Sequence, residues 1–175
     1  MDDHRVDEAA VDAVLTASRT LVAVATSSLG TAAEETTIAQ YRALVVLASR
    51  GPQRVGDLAG FLDVTASTAG RMCDRLLRKG LIRRHRARQD RRAVQVSITP
   101  AGRQVVAQAT ARRRELIAAI LGQLPPAEQP AVARALRTFA DAAGEIPDRL
   151  WPAADDSPSG YPAAPAAGAD AAARS

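Results

Sequence analysis

Val55–Gly102 reads VGDLAGFLDVTASTAGRMCDRLLRKGLIRRHRARQDRRAVQVSITPAG, and its punctuation decides the fold. Val55, Leu58, Ala59 and Leu62 recur at helical spacing, so Val55–Leu62 is a short amphipathic helix. Asp63-Val64-Thr65 makes a turn, and Thr65 is a good N-cap for a second helix. That helix runs to Lys79 and stops at Gly80. Its buried face should be Ala69, Met72, Cys73, Leu76 and Leu77. Leu81-Ile82 begins a strand. His85 to Arg92 is too polar for a core and reads as a hairpin loop. Ala93 to Ile98 alternates, with Val94, Val96 and Ile98 facing one way as in a half-buried strand. Thr99 and Pro100 then open a long helix, as N-cap and first residue, that reaches about Gly122. Two short helices, a tight turn and a β-hairpin make a winged helix-turn-helix.

The same stretch is the basic part of the chain. Between Arg71 and Arg92 ten Arg or Lys stand against Asp74 and Asp90, a net +8 in a chain whose total is +4, so the rest carries −4. A basic block in an otherwise acidic protein is a local site for a polyanion. The plainer reading is a solvated charged face, and charge alone does not choose between them. Fold and charge together do. The helix from Thr65 to Lys79 is narrow enough for a major groove, and its exposed face offers Thr65, Ser67, Thr68, Arg71 and Arg75 to base edges and phosphates. The hairpin tip, with Arg86, Arg88, Arg91 and Arg92, reaches sideways along the duplex and fits a minor groove.

Outward from this centre the chain is helical. Val11, Val14, Leu15, Ser18, Leu21, Val22 and Ala25 make one apolar stripe on a helix from Asp7 to about Leu29. Ile38 to Ser49 is a second helix, capped by Thr36 or Thr37 and ended by Gly51-Pro52. Leu124-Pro125-Pro126 breaks the long helix. A final helix carries Val132, Leu136, Phe139, Ala143, Ile146 and Leu150 at spacings of four and three, a coiled-coil-like seam. The segment after Trp151, rich in Ala, Pro and Gly, reads as a disordered tail. Only 3% of residues are aromatic, so Ala, Leu and Val must fill a close-packed helical core. One cysteine excludes a disulfide within the chain and fits a reducing cytoplasm. No apolar run reaches the ~20 residues of a membrane span, and no signal peptide is expected.

TIAQYRALVVLASRG and the stretch quoted above resemble the DNA-binding domain of the MarR (multiple antibiotic resistance regulator) family, over roughly Ile38 to Val106. The most specific match is the wing signature Asp90-x-Arg92 followed by Thr99-Pro100-Ala101-Gly102. The resemblance implies that Arg92 enters the minor groove, that Asp90 holds the wing, and that Thr65, Ser67, Thr68 and Arg71 read DNA. Ala66 and Gly70 depart from the longer or polar side chains frequent in relatives, which removes base contacts and leaves the operator sequence open. The resemblance further implies a homodimer built from the first and last helices. That gives a use to Val14 and Leu21, and to Val132, Leu136, Phe139 and Ile146. Two recognition helices about 34 Å apart are then set to read a palindrome. Many such proteins bind a small aromatic or anionic effector between the dimer helices and the DNA-binding domain. Tyr41 and Arg42 border that position, though helix packing and surface charge are the plainer account of each.

The expected architecture is mainly α with a small β-wing: an N-terminal dimerisation helix (1–36), a winged helix-turn-helix domain (37–99), C-terminal dimerisation helices (100–151) and a tail (152–175). The expected function is a cytoplasmic regulator, read as a repressor, binding double-stranded DNA as a homodimer. The rivals are a non-specific or architectural DNA binder and a protein-interaction module on the same scaffold. No cofactor, metal site or nucleophile–base pair is expected: His4 and His85 lack clustered partners. Cys73 falls on an apolar stripe and reads as a core thiol. Arg112-Arg113-Arg114 reads as a solvated face, and Trp151 as a cap on the dimer core.

Overall fold

A computed structural model describes residues 6–29, 36–86 and 94–152. In order these form α1 (Glu8–Leu29), α2 (Ile38–Arg50), β1 (Gln53–Arg54), α3 (Val55–Leu62), α4 (Ala66–Arg78), β2 (Ile82–Arg86), β3 (Val94–Ile98), α5 (Pro100–Leu121) and α6 (Gln129–Ala142), then a 3₁₀ turn at Asp148–Leu150. The strands make an antiparallel sheet in the order β1-β3-β2. β2 meets β3 in a register from Ile82 opposite Ile98 to Arg86 opposite Val94. The core lies where α2, α3, α4, α5 and the sheet converge, and Leu44, Leu47, Leu58, Leu76, Val96 and Cys73 are fully buried there.

Local signals set most boundaries. Thr37 caps α2 in a reciprocal capping box with Gln40. Asp63 takes the left-handed conformation after α3 (φ 52°), and Thr65 Oγ1 accepts from the Thr68 N–H at the start of α4 (3.2 Å). Thr99 has two tasks: its hydroxyl donates to the Gly80 carbonyl (2.7 Å) and accepts from the Gly102 N–H (3.1 Å). Gly102 is required by close approach. A Cβ there would press into the Leu81 carbonyl oxygen and lie 2.8 Å from Ile98 Cγ1.

The structure corrects several expectations. β1 has no counterpart in the sequence reading: two residues are too few for periodicity, and they are a strand only because they pair with β3, Gln53 opposite Val96 and Arg54 opposite Gln95. His85 and Arg86 belong to β2 rather than to the hairpin loop, because β3 supplies their backbone partners. Val94 shares a face with Val96 but lies past the core's edge and is 51% exposed, whereas Ser97 is buried. The final helix stops at Ala142. Gly144 turns back with φ 70°, and the Glu145 N–H donates to the Ala140 carbonyl. Ile146 and Leu150 are therefore off the helix, and the seam on α6 is only Val132, Leu136 and Phe139. Trp151 packs on the chain's own core and donates from Nε1 to the Ile146 carbonyl (2.8 Å). By length and composition alone α1 is long and apolar enough to cross a membrane, although the small and polar residues among its apolar ones leave no uninterrupted apolar run. The tail from residue 153 and the hairpin residues 87–93 lie outside the described residues.

Candidate nucleic-acid interface

α4 has two unlike faces. Ala69, Met72, Cys73 and Leu76 are buried, while Ser67, Arg71, Asp74, Arg75 and Arg78 are exposed on the other side. Helical spacing alone produces this separation. At the start of α4 three hydroxyls gather: Thr65 Oγ1 lies 2.9 Å from Thr68 Oγ1 and 3.2 Å from Ser67 Oγ. Arg71 Nη2 reaches Thr68 Oγ1 at 3.5 Å. Thr65, Ser67, Thr68 and Arg71 thus form one cluster, and Arg75 follows one turn beyond Arg71. Thr65 has a structural duty as the N-cap, and Thr68 is half-buried, which leaves Ser67, Arg71 and Arg75 as the outermost groups.

Arg86 is exposed at the far end of β2. Arg88, Asp90, Arg91 and Arg92 lie outside the described residues. Behind Arg86, alternation divides β2. Arg83 Nε donates to Ser97 Oγ (3.2 Å), and that hydroxyl lies 3.4 Å from His85 Nδ1. On the opposite face Arg84 forms an ion pair with Asp74 of α4 (2.7 Å). The sequence reading counted Arg83 and Arg84 in the basic block but assigned neither a contact, and it placed His85 in the hairpin loop. Their contacts arise from strand pairing and from the packing of α4 on β2, which residue spacing does not encode.

Burial, and then the Arg83 guanidinium, hold the His85 imidazole below its usual pKa of 6.5. The unfolded chain then takes up this proton at higher pH than the folded one. The contribution to stability is complete above pH 6.5 and declines as pH falls below it. Thermal melts from pH 8 to 5.5 should show that decline in the native protein and a smaller one in His85→Gln. Equal pH dependence in both would remove His85 as the source.

The dimer candidates separate in the same way. Val14 (40%) and Leu21 (46%) on α1, and Leu136 (47%) and Phe139 (56%) on α6, are exposed, and Val132 is half-buried. α6 is amphipathic yet has no buried residue. Val11, Leu15 and Val22 of α1 and Leu116 and Ile120 of α5 extend the exposed apolar surface. Ile146, off the helix, is bonded through its carbonyl to Trp151.

Arginines outside the wing have tertiary roles as well, Arg50 among them, whose guanidinium stacks on Phe61 and donates to the Gly144 carbonyl (2.6 Å). Arg113 is not on a solvated face. Its guanidinium stacks on Tyr41 (5.1 Å to the ring centroid) and donates to Ser28 Oγ (3.3 Å), and its Nε is buried without a hydrogen-bond partner. Arg42 forks onto the Glu145 carboxylate. Cys73 is a buried free thiol, and burial raises its pKa, with the Arg84 charge opposing and the Asp74 charge adding to the rise. It therefore has little thiolate character. No group of three or more His, Cys, Asp or Glu that could hold a metal occurs among the described residues.

The MarR family model matches residues 36–94, which span α2 to the first residue of β3. The chain is also 43% identical to RV1404 from Mycobacterium tuberculosis, whose crystal structure superposes with a TM-score of 0.75 over 80% of this chain and 95% of that one. The chain belongs to the MarR family. This is a family of winged-helix transcriptional regulators. Two further relatives of this MarR protein illustrate its range. It is 36% identical over 67 residues to YpoP of Bacillus subtilis, an uncharacterized HTH-type transcriptional regulator, a match over 38% of this chain and about half (48%) of that protein. It is 25% identical to BpsR of Bordetella bronchiseptica, whose DNA binding is regulated by 6-hydroxynicotinic acid, with a TM-score of 0.57 over 75% of this chain and 98% of that one.

Proposed function

We propose that this MarR-family chain is a cytoplasmic repressor that binds a pseudo-palindromic DNA operator as a homodimer. The observation that carries the reading is the outward face of α4, where hydroxyls and arginines stand together beside a strand that leads into a basic wing. Arginine forks suit guanine edges and phosphates, and hydroxyls suit either. Arg86, Arg88, Arg91 and Arg92 extend the contact into the flanking groove, with Asp90 supporting the wing. Ser67, Thr68, Arg71 and Arg75 face the bases, with Thr65 at the helix start.

The homodimer is supported by α6, an amphipathic helix with no fully buried residue among the described residues. A contiguous exposed apolar face of this kind marks an interaction surface. Release by a small aromatic or anionic effector is supported by Arg113, whose Nε lacks an acceptor at the seam of α1, α2 and α5. The regulation of BpsR by an aromatic acid is a parallel in a similar structure.

Duplexes selected from a random pool, compared with scrambled duplexes at fixed salt, test the operator reading. A selected duplex should bind at least about 10³ times more tightly than a scrambled one. Equal affinities would make the chain a non-specific binder. Arg71→Ala should weaken the selected duplex by about 1–3 kcal/mol with an unchanged circular dichroism spectrum. Full affinity in that variant would show that α4 is not the reading helix.

A further inference from the structure

Asp74 is an acid on the helix that should face a polyanion. It is the one acidic residue in α4 and sits among Arg71, Arg75 and Arg78 on the exposed side. A carboxylate there repels phosphates unless it is neutralised. Arg71 and Arg78 stand three residues before and four after it, the spacings at which a helix forms its own ion pairs. Asp74 instead pairs with Arg84, ten residues on and in β2, at 2.7 Å. Both side chains are about half exposed (45% and 50%), and exposed pairs of this kind contribute little to stability. A role in folding is therefore a weak account of the pair.

Its position supports a different one. Arg84 stands opposite Val96 in the sheet, and Arg86, two residues on, points to the same face at the end of β2. The Asp74–Arg84 contact thus links the reading helix to the strand that carries the wing. It also occupies a guanidinium that would otherwise be an unpaired positive charge next to α4.

We propose that Asp74 is a positioning residue for specificity: it holds Arg84 against α4, which withholds that charge from phosphates and sets the wing relative to the reading helix. This rests on the operator-binding reading above. Non-specific binding is supplied by phosphate neutralisation, and each added phosphate contact steepens the salt dependence by about one unit of log K per log salt. An acid that sequesters one arginine lowers affinity for every duplex, but it lowers the non-specific term most, because there nothing else fixes the protein's register. The cost in affinity is a gain in discrimination.

The test uses the full chain, a duplex that the wild type selects from a random pool, and a scrambled duplex of equal length, titrated across a salt series. Asp74→Asn should bind the scrambled duplex about 3–10 times more tightly at fixed salt, with a slope steeper by about one. The ratio of selected to scrambled affinity should fall. The double variant Asp74→Asn/Arg84→Gln decides the cause, and its slope should return to the wild-type value, because the released contact belongs to Arg84. The exchanged pair Asp74→Arg/Arg84→Asp should restore part of the discrimination. Wild-type slope and ratio in Asp74→Asn would overturn the proposal. So would a steeper slope that persists in the double variant, since the effect would then come from lost carboxylate repulsion. A wild type that selects no duplex would overturn the operator reading itself, and this inference with it.

Discussion

Phe139→Asp should sediment as a monomer. Phe139 is 56% exposed in its own chain, and α6 contributes no buried residue to the body of the protein. The substitution therefore removes little packing among the described residues, and the winged domain, with its core at Leu58, Met72, Leu76 and Val96, should melt as before. In the dimer proposed above the same face is covered. A carboxylate placed there has no partner, and burying an unpaired charge costs several kcal/mol. The consequence for DNA is larger than that for the fold. Two linked reading heads gain a factor on the order of 10²–10⁴ over one. Affinity for a full palindrome should fall by about that factor, and affinity for an isolated half-site should barely change. A Phe139→Asp protein that stays dimeric and binds the palindrome normally would place the interface elsewhere. The exposed apolar surface of α1, with Val14 and Leu21, would then be the next candidate.

Gly102→Ala should be strongly destabilising although it adds a single methyl. The added carbon would meet the Leu81 carbonyl oxygen, and Ile98 Cγ1 at 2.8 Å. Neither can easily retreat. The Leu81 carbonyl accepts from the Thr99 N–H, and Ile98 pairs with Ile82 in the sheet. Overpacking of this kind costs about 1–3 kcal/mol, sometimes more. A urea melt should show a lower midpoint with an unchanged slope. Gly70→Ala is the control: a Cβ there meets nothing within 4 Å, and helix propensity favours Ala by about 0.8–1.0 kcal/mol. The two substitutions should therefore move stability in opposite directions. If Gly102→Ala were neutral, the β2–β3–α5 corner would be more yielding than its packing implies.

Wherever a stop or start signal lies within a few residues of the boundary it sets, the chain was legible. Thr65 caps α4 and Thr99 caps α5 because each hydroxyl bonds an amide three residues on. Gly80 ends α4 with a positive φ. The separation of α4 into a buried face and a basic one follows from periodicity, so most of the exposed set on that helix, proposed to face DNA, could be named in advance. The family signature at Thr99-Pro100-Ala101-Gly102 was legible too, but not the reason for its glycine, which is the Leu81 carbonyl from another element.

The sequence alone determined which residues are helical in α1–α5, where most of those helices start and stop, which faces are apolar and where positive charge concentrates. Each follows from interactions within about one helical turn. The tertiary structure decided what those faces meet. It made a strand of Gln53–Arg54 by giving it the free edge of β3. It extended β2 through His85 and Arg86, buried Ser97, and drew Arg113 onto Tyr41. It turned the chain at Gly144, where an apolar spacing that continues to Leu150 had concealed the end of α6. It paired Asp74 with Arg84 rather than with a nearer arginine on its own helix. Spacing along a chain reports which side chains share a face. Only the closing of that face against a neighbour, through contacts between residues distant in sequence, determines which charge is neutralised, which polar atom is covered and which apolar stripe is left for a partner.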